Sequence, residues 1–296
     1  MSTLVCIPAF NEEKIIGKIV KECLEYSDEV VVCDDGSTDK TYEEAKLSGA
    51  ICLKHKKNFG KGAALKSLFN YARNSNAEII ITIDGDGQFL PEEIPKLRKP
   101  IEDKKADIVI GNRFNNMHEM PKYRKIGNKI LDKMANAASD LPIKDSQSGY
   151  RAYSKKIIDN IKFNVDGFGA DVEILIYASR NGFKISEENV KVIYNTGMKT
   201  STKNPISHSG EVITSILEIV AVKSPLKFIG IPGFIMMVVG IIFAINVMVL
   251  FNETRYFSIP YTMIGISFLV IGSMLLLMSV LLFSISRISY KTEDRL

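Results

Sequence analysis

The stretch TIDGDGQFLPEEIPKL, residues 82–97, sets Asp84 and Asp86 one residue apart directly after an apolar run. Gln88 stands two places on, with a proline-started helix behind it. Such a pair is most often a solvated acidic turn. At a strand end it can also hold a divalent ion that neutralises a diphosphate, and oxygen ligands of this kind suit Mg²⁺ or Mn²⁺. Three other chemistries fail on spacing. An EF-hand loop needs glycine sixth and glutamate twelfth, where this chain has Phe89 and Pro95. The dinucleotide fingerprint needs a third glycine where GKGAAL has Leu65, and no G-x-x-x-x-G-K-S/T run occurs. No Ser–His–Asp arrangement is apparent. The 3 histidines are scattered and none of the 4 cysteines forms a C-x-x-C pair, which argues against a zinc site and for buried thiols in a reducing compartment.

Something must aim these carboxylates. Residues 3–7 read as a strand, and Asn11 as the cap of a helix whose apolar face is Ile15, Ile16, Ile19, Val20, Cys23 and Leu24. Further strands are expected at 29–33, 50–53, 78–83 and 106–110, and helices at 41–47, 61–74 and 91–99. Pro91 suits a first helical position, and Glu92 and Glu93 suit the positive end of the helix dipole. The alternation predicts an α/β fold with a parallel sheet covered on both faces, which binds ligands beyond the carboxyl ends of its strands. Polar residues gather there: Asn11 and Glu12, Asp34 and Asp35, Asp84 and Asp86, and Arg113. Four such ends on one edge are more than an acidic turn requires. Past residue 111 the pattern gives helices at 121–138 and 170–180, strands at 149–154 and 184–194, and an apolar-rich helix at 211–222.

The chain has 296 residues, and 38 Lys and Arg against 34 Asp and Glu leave no global case for nucleic acid. From Leu226 onward it is almost wholly apolar. Residues 226–251 and 258–285 each exceed the roughly 20 residues that cross a bilayer, and the break between them suits only a hairpin turn. Lys223 and Lys227 flank the first span and Arg287, Lys291 and Arg295 follow the second, so the positive-inside rule puts both outer flanks in the cytoplasm. The start, MSTLVCIPAF, lacks the basic flank and long apolar core of a signal peptide, in keeping with a cytoplasmic front domain.

Five motifs in order carry a resemblance: IPAFNEE (7–13), VVVCDDGSTD (30–39), KNFGKGAAL (57–65), IDGDGQFLPEEIP (83–95) and DSQSGYRAY (145–153). Over about residues 4–204 the chain resembles family 2 glycosyltransferases of the polyisoprenyl-phosphate branch, the dolichyl-phosphate mannose synthases and polyprenyl-phosphate glucosyltransferases. The resemblance implies a GT-A fold: a Rossmann-like, mostly parallel sheet in a catalytic domain over residues 1–205. An amphipathic juxtamembrane region would follow at 206–225, then spans at 226–252 and 258–286 and a cytoplasmic tail at 287–296. It further implies that Pro8, Phe10, Glu12 and Asp35 hold the nucleotide's base and ribose, that Lys61 and its glycines approach phosphate, and that Asp84, Asp86 and Gln88 hold the metal. Ser148 and Gly149 would shape the sugar pocket, with Asp145 touching sugar hydroxyls or capping a turn. Arg113 and Arg124, with Asn128, match a clamp on the lipid phosphate, a task suited to guanidinium forks. Lys199, Ser201 and Lys203 match a loop over the diphosphate, built on lysine where some relatives use arginine.

The reaction so implied is inverting transfer of a hexose from UDP-glucose or GDP-mannose to a polyisoprenyl phosphate at the cytoplasmic face of the cell membrane. A phosphate acceptor is already ionised and needs no general base. Transfer to another lipid such as diacylglycerol would need one, with Asp145 or Asp171 as candidates, and an inactive nucleotide-sugar binding module is the alternative outside catalysis. Relatives with two spans form oligomers, so a homo-oligomer is compatible with the resemblance.

Overall fold

The structure, a computed structural model, describes residues 1–113, 143–161, 170–193 and 225–293. Contacts divide the chain into two units, Met1–Ser209 and Gly210–Leu296. In the first, seven strands form one sheet: β1 Thr3–Ala9, β2 Glu29–Asp34, β3 Ile51–Lys54, β4 Ile79–Thr82, β5 Ile108–Asn112, β6 Arg151–Ser154 and β7 Ile185–Asn189. Their spatial order is β3-β2-β1-β4-β6-β5-β7. Every pairing is parallel except those of β6, which runs antiparallel to both β4 and β5. Because β6 enters reversed, its start and the turn before it reach the same edge as the carboxyl ends of β4 and β5.

Alternation along β1 explains the two cores. Val5 and Ile7 join Ile16, Ile19, Val20 and Cys23 of α1 (Ile16–Leu24), Ala45 of α2 (Thr41–Leu47), and Ile94 and Leu97 of α4 (Ile94–Glu102) on one face. Leu4 and Cys6 join Leu65, Leu68 and Phe69 of α3 (Lys61–Asn74), Ile157 of α5 (Lys155–Asn160) and Ile174 of α6 (Ala170–Arg180) on the other. Period-2 strands between period-3.6 helices leave both faces dry. The four cysteines are free thiols. Burial pushes the Cys33 thiol up to about 12, so it is inert at neutral pH.

Several expected boundaries shift for local reasons. Asn11 does not cap α1. It adopts a left-handed φ of 58° and its side-chain oxygen accepts the Thr38 N–H at 2.9 Å, tying the end of β1 to the loop after β2. The helix starts instead at Ile16, whose N–H reaches Glu12 O at 3.0 Å. Leu24, expected on the buried face, is exposed at its end. The helix expected at 91–99 opens as a 3₁₀ turn, Pro91–Glu93, and runs on to Glu102. The strand expected at 184–194 ends at Asn189, because Val192 leaves β5 and bridges Phe89 in the acidic loop.

In the second unit α7 (Ile231–Thr254) follows a π turn at Leu226–Gly230, and α8 spans Ile259–Glu293. Leu226–Thr254 and Ile259–Ile285 are long and apolar enough to cross a membrane. The helices pack antiparallel along positions seven apart: Gly233, Gly240 and Val247 on α7, with Gly265, Gly272 and Ser279 on α8, are all buried. A methyl group at Gly240 would lie 2.8 Å from Leu269 N, and one at Gly272 would lie 2.7 Å from Met237 N. Backbones this close are how helices associate where no water drives them together. Large side chains such as Phe234, Ile242, Met263 and Leu277 point outward.

Candidate active site

The acidic turn follows β4, the central strand between β1 and β6. Asp84 is gripped from both sides. Lys61, first residue of α3, places Nζ 2.8 Å from Asp84 Oδ1 and 3.3 Å from Asp171 Oδ2. On the other side Gly149 comes so near that any side chain there would overlap the Asp84 carboxylate. Burial works against the Lys61 ammonium, but Asp171 and Asp84 outweigh it and raise its pKa. Asp86 Oδ1 accepts the Gln88 N–H at 3.0 Å, and Gln88 O accepts the Ile193 N–H at 2.9 Å, so the turn is pinned from the chain that follows β7.

Negative charge is in excess here. Burial, then Asp84, push Asp86 up to about 6, against the pull of the Gln88 N–H, Lys61 and Arg113. Burial, then Asp86, Asp39 and Asp84, push Glu12 up to about 7. The fold thus brings Glu12, Asp84 and Asp86 into one electrostatic group, and a divalent cation would relieve their repulsion. Among the described residues no set of three His, Cys, Asp or Glu side chains is gathered as a complete ion site. Two carboxylates with remaining ligands from a phosphate is a usual arrangement for Mg²⁺. The donor set therefore fits such an ion bound together with a diphosphate.

Arg113, at the end of β5, closes on Asp145: Nε to Oδ2 2.8 Å, Nη2 to Oδ1 2.7 Å, and its own backbone N–H to Oδ2 3.0 Å. Asp145 is wholly buried, so this bidentate pair is a fixed part of the site wall. Asp171 is likewise committed, to Lys61 and to Arg151 Nη2 at 3.7 Å. Arg151, fully buried on β6, is a site residue to which the sequence motifs assign no role. Its Nε donates to Ser148 O at 2.8 Å, Nη2 to Ser146 O at 2.7 Å and Nη1 to Asp171 O at 2.8 Å. It shapes the 145–149 turn from beneath and so sets Gly149 against Asp84. Ser148 faces inward, its hydroxyl accepting the Tyr150 N–H at 3.4 Å.

Of the other expected residues, Pro8 lies in β1 and Phe10 is 36% exposed beyond it. Asp35 is buried and accepts the Phe59 N–H at 3.0 Å and the Gly60 N–H at 2.7 Å. A Ser–His–Asp arrangement does exist, contrary to the sequence reading: His55 bridges Asp35 and Ser67. Spacing hides it, but strand pairing predicts half of it. The register Asp34↔Lys54 puts Asp35 beside His55 as soon as β2 and β3 are neighbours. Arg124 and Asn128, the helices expected at 121–138 and 211–222, and Lys199, Ser201 and Lys203 lie outside the described residues.

This sheet, with its acidic turn beyond β4, is the GT-A-like architecture. The chain matches the model of glycosyl transferase family 2 over residues 4–162 and belongs to that family. It is 38% identical to an uncharacterised protein of Methanocaldococcus jannaschii over 71% of this chain and 86% of the other. It is 33% identical to the UDP-N-acetylglucosamine–dolichyl-phosphate N-acetylglucosaminyltransferase of Methanococcus voltae, over 64% of this chain and 84% of that enzyme. Among solved structures, glucosyl-3-phosphoglycerate synthase of Mycobacterium tuberculosis in complex with Mn²⁺, UDP and phosphoglyceric acid superposes with a TM-score of 0.58. That likeness covers 74% of this chain and 78% of the synthase at 22% identity, and it concerns the fold.

Proposed function

We propose that this glycosyltransferase moves a hexose, with inversion and with the help of a divalent metal, from a nucleoside-diphosphate sugar to a polyisoprenyl phosphate in the membrane. The observation that carries the reading is the Asp84–Asp86 turn, held between the Lys61 ammonium and the Gly149 backbone at the carboxyl end of a central strand. Relatives that carry dolichyl phosphate in their names, and two helices apt for a bilayer, support the acceptor. In this reading residues 1–205 are catalytic, 206–225 lie at the membrane surface, 226–252 and 258–286 span it, and the flanking lysines and arginines keep both outer ends cytoplasmic.

Asp84 and Asp86, with Gln88, would hold Mg²⁺ or Mn²⁺, which supplies charge neutralisation to the departing diphosphate. Lys61, at the start of α3, offers a second positive charge beside it. Pro8, Phe10, Glu12 and Asp35 line the nucleotide side, Ser148 and Gly149 the sugar side. Arg113, Arg124 and Asn128 orient the lipid phosphate, which attacks the anomeric carbon directly from the face opposite the leaving group. The two carboxylates that could serve as a general base for a lipid hydroxyl are both tied into ion pairs, Asp145 to Arg113 and Asp171 to Lys61 and Arg151. That disfavours diacylglycerol as acceptor.

The test is transfer from radiolabelled UDP-glucose, GDP-mannose and UDP-N-acetylglucosamine to polyprenyl phosphate by the full chain in detergent, with Mn²⁺ or EDTA. One donor should give a metal-dependent glycolipid, reduced at least about 100-fold in Asp86→Ala. Product that survives both EDTA and the substitution overturns the assigned site.

A further inference from the structure

One partly buried polar chain lies beside the acidic turn's own network. His55 follows β3, with Nδ1 2.7 Å from Asp35 Oδ1, and Nε2 2.8 Å from Ser67 Oγ and 3.5 Å from Cys33 Sγ. The Asp35 carboxylate can only accept, so Nδ1 carries the hydrogen, while Nε2 lies within hydrogen-bond distance of the Ser67 hydroxyl. The order is that of a nucleophilic triad, but the surroundings are not. Ser67 is the seventh residue of α3, past the first turn whose N–H groups lack helical partners, so the helix itself offers no pair of free backbone donors to an oxyanion there.

The consequence lies at the other end of the chain. Asp35 uses both oxygens to hold the Phe59 and Gly60 N–H groups. Gly60 stands directly before α3, with φ 95°, and Lys61 opens the helix and reaches Asp84. The Phe59 ring meets His55 edge-on, centroids 5.6 Å apart. One carboxylate thus joins the end of β2, the 57–60 turn and the helix that delivers Lys61 to the acidic turn. His55 is the side chain that orients that carboxylate.

We propose that His55 is a positioning residue for the donor: through Asp35 it holds the Phe59–Gly60 turn and the start of α3 in the shape that receives a nucleoside diphosphate. The proposal rests on the donor reading above. A group that orients a binding carboxylate in this way, as outer partners orient metal ligands, typically changes affinity by ten- to a hundredfold.

The experiment is calorimetric binding of UDP and of GDP, each with Mn²⁺, to the full chain in detergent. Wild type is compared with His55→Asn and His55→Gln, and the donor KM and kcat and the Tm are measured for each. Asparagine sets an amide N–H near the place of Nδ1 and keeps the donor to Asp35. Glutamine sets its amide near Nε2 and cannot serve Asp35. His55→Gln should weaken the nucleotide that wild type binds by about tenfold and raise KM equally, with kcat within about twofold and His55→Asn within about threefold of wild type. Equal weakening in both variants, tracking a loss of Tm, means that His55 only fills space and overturns the proposal. Wild-type affinity in both variants overturns it as well while leaving the donor reading intact. A wild-type chain that binds neither nucleotide overturns the donor reading, and the proposal with it.

Discussion

Asp86 and Glu12 carry carboxyls pushed up from 3.8 to about 6 and from 4.5 to about 7. An acid whose pKa is higher folded than unfolded binds its proton more tightly in the folded state. Its contribution is therefore largest at low pH and is lost as pH rises through those two windows. A cation between the carboxylates reverses this by stabilising the ionised forms. Mn²⁺ should accordingly raise the Tm of the full chain by several degrees more at pH 7.5 than at pH 5, as followed by differential scanning calorimetry. An equal shift at both pH values would place the ion elsewhere. Gly149 makes a steric prediction. Gly149→Ala must turn the Asp84 carboxylate out of its place against the backbone. Transfer should fall by about 100-fold, while the overpacking costs only about 1–3 kcal/mol of stability in urea titration.

At the level of elements, the reversal of β6 is what builds the wall beside the acidic turn. Its antiparallel pairing with β4 and β5 brings the 145–149 turn to the acidic turn, and Arg151 fastens it to the start of α6. Arg151→Met would remove the hydrogen bonds to the Ser146, Ser148 and Asp171 carbonyls and leave Asp171 with one buried counter-ion fewer. The expected cost is about 3–5 kcal/mol by chemical denaturation, far above a surface change. In the hairpin the glycine seam has a comparable role. Gly240→Leu should separate α7 from α8, because the methyl position already lies 3.0 Å from Gly265 O. Amide exchange over Ile231–Thr254 and Ile259–Ile285 in micelles should then accelerate by about tenfold or more, the response to about 1.4 kcal/mol of lost packing.

For the whole molecule the testable property is orientation. Tyr256, in the turn between the two apolar helices, is 65% exposed, and Glu25 is exposed on the front unit. A membrane-impermeant maleimide should label Tyr256→Cys in intact cells and Glu25→Cys only after permeabilisation. The reverse pattern would overturn the cytoplasmic reading. Much of the molecule could be read without coordinates. The strands and helices around the sheet, the spacing of Asp84 and Asp86, and the two apolar spans are local patterns, set by side-chain periodicity and length. Helices 41–47, 61–74 and 170–180 have the bounds their sequence predicts. What local pattern does not carry is which strands become neighbours and which way each runs. The reversed β6 sets Gly149 on Asp84 and Arg151 beneath it, and the β2–β3 pairing sets His55 on Asp35, across gaps of 65 and 20 residues respectively. Those contacts depend on the global packing of two cores around one sheet, and no spacing rule along a single chain encodes them.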